Sequence, residues 1–539
     1  MKAIAQGQCL KNLIRNNQIY VDKTHEIYTL FKINDRILFT RPRRFGKSLV
    51  LDTIATLFEK GVDPYFNDTW IYDKWKEKTY PVLRLNFLDF PTDDYDLFCE
   101  KFAREIQRFA NRNVFDNYEE ILKDPSSCIT EILNAVLDKD AQIVILIDEY
   151  DAQLTSNINN EELYKTFQQS LRNLYGTLKG REVIKFLGIT GVTRLKDVSI
   201  FSVGSDIRDV TYQSSVSTIT GFTREEIAKY YIDYLNLGVS LEQKKSVEEV
   251  TAQERDELID RLAKEYNGYC FDKSNRKTVF STFSVNLFFS DLYTEHEVIF
   301  GDYWYDNGGV PSILARYLKT HTIDILEYKQ DKFNISYQQF VNPTSLLSIE
   351  QKVLMTQTGY LTLKSTLEIT KPLIVGFPNN EVYRALITLS FYKFYGFEIT
   401  ISDESIKNLK HGTAEEVKGV IESIIHTVPY DHNPISSETI LRALIYMFFV
   451  GARITVIPEF PNDKGRSDLE IEFDERRIVI EFKYAKSVND AKTKLMQAKN
   501  QIIENDYGNH GPFKDYMRFA LVYNGKTKKI AYFEEVPKN

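Results

Sequence analysis

The first 220 residues alternate between short apolar runs and longer amphipathic runs. The apolar runs are typical of buried strands and read RILFT, PVLRLNF, QIVILID and VIKFLGITGV. The amphipathic runs have helical periodicity and read SLVLDTIATLFEKG, YDLFCEKFAREIQRFANR and EELYKTFQQSLRNLYGTLKG. Because apolar strands that alternate with helices form parallel sheets covered on both faces, the pattern predicts an α/β domain at residues 1–220.

A helix-rich pattern begins at the segment GFTREEI. Thr223 and Glu226 have the spacing of a capping box, with threonine as the N-cap and glutamate at the third helical position. The charged run SLEQKKSVEEVTAQERDELIDRLAKEY is typical of a solvated helix face. We predict a helical middle region over residues 221–425.

The last part of the chain returns to mixed α/β patterning. Its helical runs are SSETILRALIYMFFVG and SVNDAKTKLMQAKNQII, and its strands are ARITVIPEF, a hairpin, RFALVYNG and KIAYFEEV. A chain of 539 residues also exceeds what one hydrophobic core supports. We therefore predict three domains, of which the third spans residues 426–539.

The hairpin of the third domain has polar and apolar residues at a period of two. In its first strand, Glu470 and Glu472 fall on the polar face and are expected to face solvent. In its second strand, Glu481 and Lys483 share a face with Val479. A carboxylate and an ammonium group therefore lie side by side on an otherwise apolar strand.

Composition restricts the classes of protein that fit. The net charge of −8 argues against a chain coated with cations, although it allows a local cationic groove. A disulfide framework or zinc site is not expected, because the four cysteines have no CxxC spacing. No apolar run reaches about 18 residues, so we expect no membrane partner and a cytoplasmic location.

A phosphate-binding loop is indicated by Gly46, Lys47 and Ser48, which follow the first strand and open a helix. At such a helix start, backbone N–H groups attract phosphate, the lysine reaches the terminal phosphates and the serine hydroxyl binds Mg²⁺. Arg41 stands where a glycine is usual, and Pro42 removes a backbone donor. A bare GKS is also compatible with an ordinary helix start.

Acidic residues at the end of another strand strengthen this interpretation. Asp148 is placed to hold Mg²⁺ and Glu149 to polarise water, although either acid alone is also typical of a loop start. We expect Mg²⁺ or Mn²⁺, together with ATP or another nucleoside triphosphate. Thr190 and Arg194 follow at a further strand end, where Arg194 either contacts a γ-phosphate or forms a structural salt bridge.

Five ordered segments resemble the AAA-ATPase-like family: YVDKT, RPRRFGKSL, LIDEYD, ITGVTRL and GFTREEI. The resemblance covers about the first 225 residues. It implies a P-loop NTPase-like sheet in which the arginine-rich segment replaces the ordinary P-loop, so that Arg41 is normal for the family. Arg43, Arg44 and Phe45 then join the nucleotide-binding set. Nucleotide hydrolysis in this family is itself an inference from motifs.

The Glu481–Lys483 pair suits phosphodiester hydrolysis, in which carboxylates hold a divalent cation that activates water. Strand geometry places the two side chains about 6–7 Å apart on one face. Asp468 on the neighbouring strand can supply a second carboxylate, and the carbonyl oxygen of Phe482 a further ligand. Lys483 would orient the water and stabilise the transition state. The alternative is a surface hairpin with an ordinary ion pair.

Glu438, Asp468, Glu481-x-Lys483 and Gln501 together resemble the PD-(D/E)XK nuclease superfamily, and GRSDLEI, IVIEFKY and AKNQI are its specific segments. The resemblance implies a restriction-endonuclease-like α/β/α domain that cleaves DNA with a metal. It assigns Asp468 and Glu481 as ligands and Lys483 as the catalytic lysine, while Glu438 and Gln501 match its helical positions. The proline-containing approach DHNPISSETILRAL departs from the family around Glu438.

Several lysines could form the cationic groove that an acidic nuclease needs. They are Lys486, Lys492, Lys494 and Lys499 after the catalytic strand, and Lys526, Lys528 and Lys529 near the carboxyl terminus. For the first four, a solvated helix face is an equal alternative.

We interpret the chain as a nucleotide-regulated, metal-dependent nuclease, with DNA favoured over RNA as the substrate. A role in defence or genetic conflict fits such regulation. Two alternatives stay open. One is a nucleotide-driven remodeller that only grips nucleic acid, and the other is a nucleotide-sensing interaction module without cleavage. A homo-oligomer is compatible with each of them.

Overall fold

The computed structural model divides the chain into two compact units. It describes residues 1–5, 7, 9–113, 142–195, 206–306, 312–321, 323, 332–343, 345–428, 435–462, 464–511, 513 and 515–538. The first unit comprises Met1–Thr322 and Asp331–Val382, and the second comprises Ile323–Gln330 and Tyr383–Asn539. The domain boundaries near residues 220 and 425 stay predictions.

A five-stranded parallel sheet forms the centre of the first unit. Its strands are β1 (Arg36–Thr40), β2 (Val82–Asn86), β3 (Ile143–Asp148), β4 (Ile184–Gly191) and β5 (Arg208–Asp209). They lie in the order β2-β3-β4-β1-β5, and each neighbouring pair is parallel. Every residue of β1 and β3 is buried, as expected for strands that are covered on both faces. The predicted parallel sheet is confirmed.

Six helices accompany this sheet in the described part of the chain before residue 220. They are α1 (Leu10–Arg15), α2 (Thr24–Ile33), α3 (Lys47–Lys60), α4 (Tyr95–Arg112), α5 (Ala152–Ser156) and α6 (Glu161–Leu178). The three amphipathic runs of the sequence are α3, α4 and α6. Their apolar residues are buried, which confirms that helical periodicity identified the core-facing side.

The rest of the first unit is rich in helices. The elements are α7 (Arg224–Tyr230), α8 (Ile232–Gln243), α9 (Ala252–Tyr266), α10 (Thr282–Glu295), α11 (Tyr303–Asp306), α12 (Ser312–Tyr317), β6 (Phe333–Ile335), α13 (Tyr337–Val341), α14 (Gln351–Thr358), β7 (Thr362–Leu363) and β8 (Leu373–Gly376). The three strands form a small antiparallel sheet in the order β6-β8-β7. The capping box of Thr223 and Glu226 opens α7 as predicted, and the helical middle region is confirmed.

The second unit contains a mixed five-stranded sheet. Its elements are α16 (Asp403–His411), α17 (Ala414–Thr427), α18 (Glu438–Gly451), β9 (Thr455–Pro458), β10 (Leu469–Glu472), β11 (Arg476–Ala485), α19 (Val488–Glu504), β12 (Asp515–Asn524) and β13 (Lys529–Glu535), and α15 (Asn380–Tyr395) contains the boundary between the units. The strand order is β13-β12-β11-β10-β9, and only β11 and β12 pair in parallel.

Helix α19 makes the crossover between the parallel strands β11 and β12. Its buried residues Ala491, Leu495, Ala498 and Ile502 pack with Val479 and Val522 of those strands. The predicted α/β organisation of the carboxyl-terminal part is therefore confirmed. None of the described helices in either unit combines the length and hydrophobicity that a bilayer crossing requires.

The expectation that Glu470 faces solvent was wrong, because only 1% of this residue is exposed. Ser467 Oγ donates a hydrogen bond of 2.8 Å to Glu470 Oε1. Arg477 Nε lies 3.4 Å and His510 Nε2 lies 3.1 Å from Glu470 Oε2. Strand β10 is an inner strand, and the segment around His510 covers its polar face. Alternation alone could not reveal that cover.

Glu472 is also partly covered, since Arg477 Nη2 lies 2.7 Å from its Oε1 atom and 20% of its side chain is exposed. Burial raises the pKa of Glu470. Arg477 is itself buried and holds both carboxylates. The polar face of β10 is therefore an internal ion cluster.

Replacement of Glu470 by alanine tests this cluster. We expect Glu470→Ala to lower the free energy of unfolding by about 3 kcal/mol, because it leaves the buried Arg477 short of a partner. Asp474→Ala in the exposed turn of the same hairpin is the control and should change stability by less than about 0.5 kcal/mol. Urea denaturation at neutral pH measures both, and equal effects of the two substitutions would contradict the internal cluster.

Candidate functional site

The connection from β1 to α3 has the geometry of an anion-binding loop. Gly46 is the N-cap of α3 with a φ of 85°, and Arg44 has a φ of 67°. Left-handed residues of this kind turn the backbone N–H groups of a loop towards one concave side, which suits an anion. Lys47 is buried, and its Nζ atom donates hydrogen bonds of 3.2 Å to the carbonyl oxygens of Arg41 and Pro42.

The predicted magnesium-binding pair is in direct contact. Ser48 Oγ donates a hydrogen bond of 2.5 Å to Asp148 Oδ2, and burial raises the pKa of Asp148. Glu149, in a left-handed conformation with a φ of 49°, places Oε1 3.3 Å from the Nζ atom of Lys47. The end of β3 therefore meets the start of α3, and the structure brings Lys47, Ser48, Asp148 and Glu149 together there.

Arg41 explains how the loop is built without the usual glycine. Only 1% of the residue is exposed. Its guanidinium group donates hydrogen bonds to the carbonyl oxygens of Thr40 (2.8 Å) and Thr211 (2.7 Å) and to Thr220 Oγ1 (3.1 Å). It also lies 4.2 Å from the ring centroid of Phe271. Burial lowers the pKa of Arg41 to about 10, which still leaves it charged at neutral pH. The side chain of Arg41 therefore holds the loop in place through these hydrogen bonds.

The next residues attach the loop to the helical region of the same unit. Phe45 is fully buried, and its ring centroid lies 4.6 Å from that of Tyr269. The Arg44 guanidinium lies 3.9 Å from the ring centroid of Phe283. Phe45 therefore anchors the loop through its ring, and Arg44 is held against an aromatic face. Arg43 is partly exposed, so it is accessible to an anion at the loop.

At the end of β4, Thr190 is buried, and Arg194 just beyond the strand is held in an ion pair. Arg194 Nε forms an ion pair with Asp209, and its backbone N–H donates to Gln357 Oε1 at 3.2 Å. The structural salt bridge that the sequence left as an alternative is thus present. Thr190 is fully buried at the end of β4, and its hydroxyl oxygen has no hydrogen-bond partner within the described chain.

An apolar cavity of about 540 Å³ adjoins the loop. Arg44, Phe45 and Gly46 of the loop line it together with Phe222 and Phe283. None of the described residues that line it is acidic. Ligand pockets commonly measure about 300–1,000 Å³, so the cavity can accept a nucleoside beside the phosphate loop.

In the second unit, Glu481 is the centre of the candidate nuclease site. It is fully buried on β11, and Lys483 Nζ donates a hydrogen bond of 2.8 Å to its Oε1 atom. Its other carboxylate oxygen, Oε2, is buried without a hydrogen-bond partner in the described residues. Burial, together with the nearby charge of Asp468, raises the pKa of Glu481 to about 7. Such an oxygen is poised to accept a cation or a proton.

Lys483 stays charged in this setting. Burial by itself would lower the pKa of Lys483, but the carboxylate of Glu481 beside it raises the pKa, and the net direction is upward. Lys483 Nζ also donates a hydrogen bond of 3.0 Å to the carbonyl oxygen of Phe482. Its ammonium group therefore lies among the predicted ligand atoms.

Asp468 reaches the same place because the pairing of β10 with β11 begins only at Leu469 and Ile480. Beyond that pair the backbone N–H of Phe482 has no strand partner on the β10 side, and it donates to Asp468 Oδ2 at 2.9 Å. Arg442 on α18 donates to Asp468 Oδ1 at 2.8 Å. The sequence analysis missed Arg442, although its position four residues after Glu438 on one helix face was a usable signal.

Of the two helical residues predicted for the nuclease site, Glu438 borders the site and Gln501 contacts a neighbouring turn. Glu438 opens α18, and its Oε1 atom lies 3.7 Å from Lys483 Nζ, so it borders the site. Gln501 Nε2 instead contacts the hydroxyl of Tyr507 at 3.4 Å. That hydroxyl donates a hydrogen bond of 2.5 Å to the carbonyl oxygen of Arg466, two residues before Asp468. Gln501 therefore helps, through Tyr507, to hold the turn that carries Asp468.

The residues present fit a divalent cation. The Glu481 Oε2 atom is a buried anionic oxygen that lacks a partner, and Asp468 and the Phe482 carbonyl oxygen are the further hard ligands beside it. The described residues contain no cluster of three or more His, Cys, Asp or Glu side chains that could hold a metal ion. A cation here would therefore rest on two carboxylates, a backbone carbonyl and water, as is usual for Mg²⁺.

The lysines of the predicted cationic groove differ in their exposure and in their partners. Lys499 is engaged by Glu534 in an ion pair. Exposed lysines are Lys486, Lys492, Lys526, Lys528 and Lys529, whereas Lys494 is partly buried. The exposed members are accessible to phosphate groups, so the groove stays a prediction.

Comparisons with known proteins agree with this organisation. Residues 8–201 match the family described as predicted AAA-ATPase, and residues 436–532 match the PD-(D/E)XK nuclease superfamily. The chain therefore combines a predicted AAA-ATPase domain with a carboxyl-terminal nuclease superfamily domain, which confirms both resemblances and supports a nuclease enzyme.

A protein that is similar over most of the chain is described as an uncharacterized protein in the vnfD 5' region of Azotobacter chroococcum mcd 1. It is 25% identical over 517 residues, which cover 91% of this chain and 90% of that protein. Among solved structures, the Walker-type ATPase of Pyrococcus abyssi has 10% identity and a TM-score of 0.34, and covers 69% of this chain and 97% of its own. The ORC2 protein of Aeropyrum pernix has 10% identity and a TM-score of 0.25, with 68% and 88% covered.

The raised pKa of Glu481 predicts that cation binding at this candidate site depends on pH. Below about pH 7 the carboxyl group is protonated, and a cation must displace the proton before it binds. We expect the affinity for Mg²⁺ to fall about tenfold for each pH unit below about 7, and to change little above about pH 8. Isothermal titration calorimetry between about pH 6 and pH 8.5 measures this. A constant affinity across that range would contradict the assignment of Glu481.

Proposed function

We propose that the protein is a nucleotide-regulated nuclease that hydrolyses phosphodiester bonds of DNA with Mg²⁺ or Mn²⁺. The observation that carries the proposal is the fully buried Glu481, which has one oxygen on Lys483 and the other without a partner. An ordinary surface ion pair would leave both groups in water. A site that only gripped nucleic acid would have no need for an ionised carboxylate in a sheet interior, where its charge is costly.

The roles of the second unit follow from these contacts. Asp468 and Glu481, with the carbonyl oxygen of Phe482, would hold the cation, which when bound lowers the pKa of a water molecule and neutralises phosphate charge. Lys483 stays protonated, so it acts as a hydrogen-bond donor that orients the attacking water and stabilises the charge that develops on the phosphate. Glu438, 3.7 Å from Lys483, supports the orientation of that ammonium group.

The first unit supplies the nucleotide site in this proposal. Backbone N–H groups of the loop from Arg43 to Gly46 bind the phosphates, and Lys47 contributes positive charge. Ser48 and Asp148 would hold the magnesium ion that accompanies the nucleotide, and Glu149 would polarise water if the nucleotide is hydrolysed. The adjoining apolar cavity accepts the nucleoside.

Nucleotide binding gates cleavage in this proposal. An unregulated nuclease would threaten the DNA of the cell that makes it, and a chain that carries a nucleotide domain together with a nuclease domain can couple the two activities. A role in defence or in conflict between genetic elements suits such control. The cytoplasm, where DNA and nucleoside triphosphates are both present, is the corresponding location.

Direct cleavage assays test the nuclease. Supercoiled, linear and single-stranded DNA, and single-stranded RNA, are incubated with the full chain and Mg²⁺ or Mn²⁺, with and without ATP. We expect Lys483→Ala to slow DNA cleavage by about 10²–10⁴-fold, because the positioned donor is lost. Asp468→Asn should also abolish most cleavage by weakening the cation site.

The matched control is Lys407→Ala, which removes an exposed lysine of the same unit on α16. It should retain the wild-type rate. If wild type and Lys483→Ala cleave at equal rates, the nuclease site lies elsewhere. If wild type cleaves neither DNA nor RNA but hydrolyses ATP in the presence of DNA, the remodeller replaces the nuclease as the function.

The gating hypothesis has its own variant, Lys47→Ala. Loss of a charge-assisted contact to phosphate costs about 1.5–3 kcal/mol, so nucleotide affinity should fall at least about tenfold. Cleavage should then lose its response to ATP. Lys60→Ala, at the exposed end of the same helix, is the control and should keep that response. Filter binding and cleavage rates measure the two effects, and an unchanged ATP response in Lys47→Ala would refute gating.

A further inference from the structure

Arg442 lies between two carboxylates at the edge of the candidate nuclease site. Its Nη1 atom is 2.8 Å from Asp468 Oδ1, and its Nη2 atom is 3.2 Å from Glu459 Oε1. The side chain is 17% exposed, and its Nε atom is buried without a hydrogen-bond partner in the part of the chain that the structure describes. The two terminal nitrogen atoms of the Arg442 guanidinium group therefore each contact one carboxylate, Asp468 and Glu459.

This contact limits how Asp468 can bind a cation. Asp468 Oδ1 accepts a hydrogen bond from the charged guanidinium group of Arg442, whereas Oδ2 accepts one from the neutral backbone N–H of Phe482. Each oxygen keeps a further lone pair, but a cation on Oδ1 would lie beside the positive charge of Arg442, so Oδ2 is the favoured ligand atom. To use both oxygens, a cation would have to approach the positively charged Arg442 or displace it. Asp468 therefore offers one oxygen.

Glu481 is limited in the same way by a different cation. Lys483 occupies Oε1, and only Oε2 is without a partner among the described residues. Both carboxylates of the site are thus arranged for single-oxygen coordination, each with one oxygen held by a positively charged side chain. Two independent contacts produce the same result, one at the residue before β10 and the other on β11.

Divalent cations differ in their response to such an arrangement. Mg²⁺ takes six ligands in a nearly ideal octahedron, usually with single carboxylate oxygens and several waters, whereas Ca²⁺ takes six to eight ligands and accepts both oxygens of a carboxylate. We propose that Arg442 is a positioning residue that holds Asp468 to single-oxygen coordination and thereby selects Mg²⁺ or Mn²⁺ over Ca²⁺. This inference rests on the proposed function of Asp468 and Glu481 as cation ligands.

A purely structural ion pair would be the ordinary interpretation of the Arg442–Asp468 contact, since it ties α18 to the residue before β10. The two interpretations differ in one measurable quantity. A structural role changes stability and leaves the ratio of Ca²⁺ to Mg²⁺ affinity unchanged. Selection by Arg442 changes that ratio, whatever happens to the absolute affinities.

The experiment measures cation binding to the full chain without nucleic acid. Isothermal titration calorimetry with MgCl₂, MnCl₂ and CaCl₂ is done at about pH 8.5, where Glu481 is ionised. Removal of a nearby positive charge should tighten all three cations. Because Arg442→Gln also frees Asp468 Oδ1, we expect the ratio of Ca²⁺ to Mg²⁺ affinity to rise at least about fivefold, while Arg442→Lys keeps the ratio within about twofold of wild type.

Two further variants keep the test decisive. Glu459→Gln removes the second partner of Arg442 at a side chain that is 42% exposed, so the fold should tolerate it, and the ratio should rise by a smaller factor. Arg476→Gln is the matched control, because Arg476 is a buried arginine of the same sheet that pairs with Asp515. It should lower stability without a change in the ratio.

An unchanged ratio in Arg442→Gln, with cation binding retained, overturns the proposal. If Arg442→Gln fails to fold, an unchanged ratio in Glu459→Gln overturns it instead. Failure of the proposed function gives a different pattern: the wild-type chain then binds no divalent cation, or binds it equally well after Asp468→Asn. One set of titrations therefore distinguishes a failure of the Arg442 proposal from a failure of the proposed function.

Discussion

A carboxylate buried in the middle of a sheet is the constraint on which the second unit depends. Glu481 is fully buried on β11, where desolvation of an unpaired charge would cost several kcal/mol. The adjacent Lys483 offsets part of that cost, but one oxygen of Glu481 still lacks a partner among the described residues. A sheet built for stability alone would place an apolar side chain there, and a carboxylate at this position is what the proposed cation site requires.

The first unit contains a loop that resembles a phosphate-binding loop but has Arg41 in place of the usual first glycine. A phosphate loop requires backbone freedom that glycine normally provides, and here the loop contains Arg41 and Arg44 instead. Arg41 binds carbonyl oxygens beneath the loop, and Phe45 packs on Tyr269. The conformation of the loop is thus imposed by contacts with residues far along the chain. Movement of that region would therefore change the loop directly, which is the physical link that the proposed nucleotide regulation requires.

Sequence patterns predicted the local elements well and the long-range contacts poorly. The strand that carries Asp148, the helix that begins at Lys47 and the capping box at Thr223 are confirmed, because each depends on neighbours within a few residues. Glu470 was wrongly expected in solvent, since its cover comes from a segment around His510 about 40 residues later. Periodicity reports that a strand has two chemically different faces, but it does not report what lies over each face.

The sequence by itself showed the two family resemblances, through short ordered motifs, and the order of the elements, through local periodicity. It also supplied the acidic, basic and hydroxyl residues available for chemistry. Only the tertiary structure decided which residues meet. It brought Arg442 to Asp468 across 26 residues and paired Arg194 with Asp209. Such contacts depend on how helices pack on strands from distant parts of the chain, and no short segment contains that information.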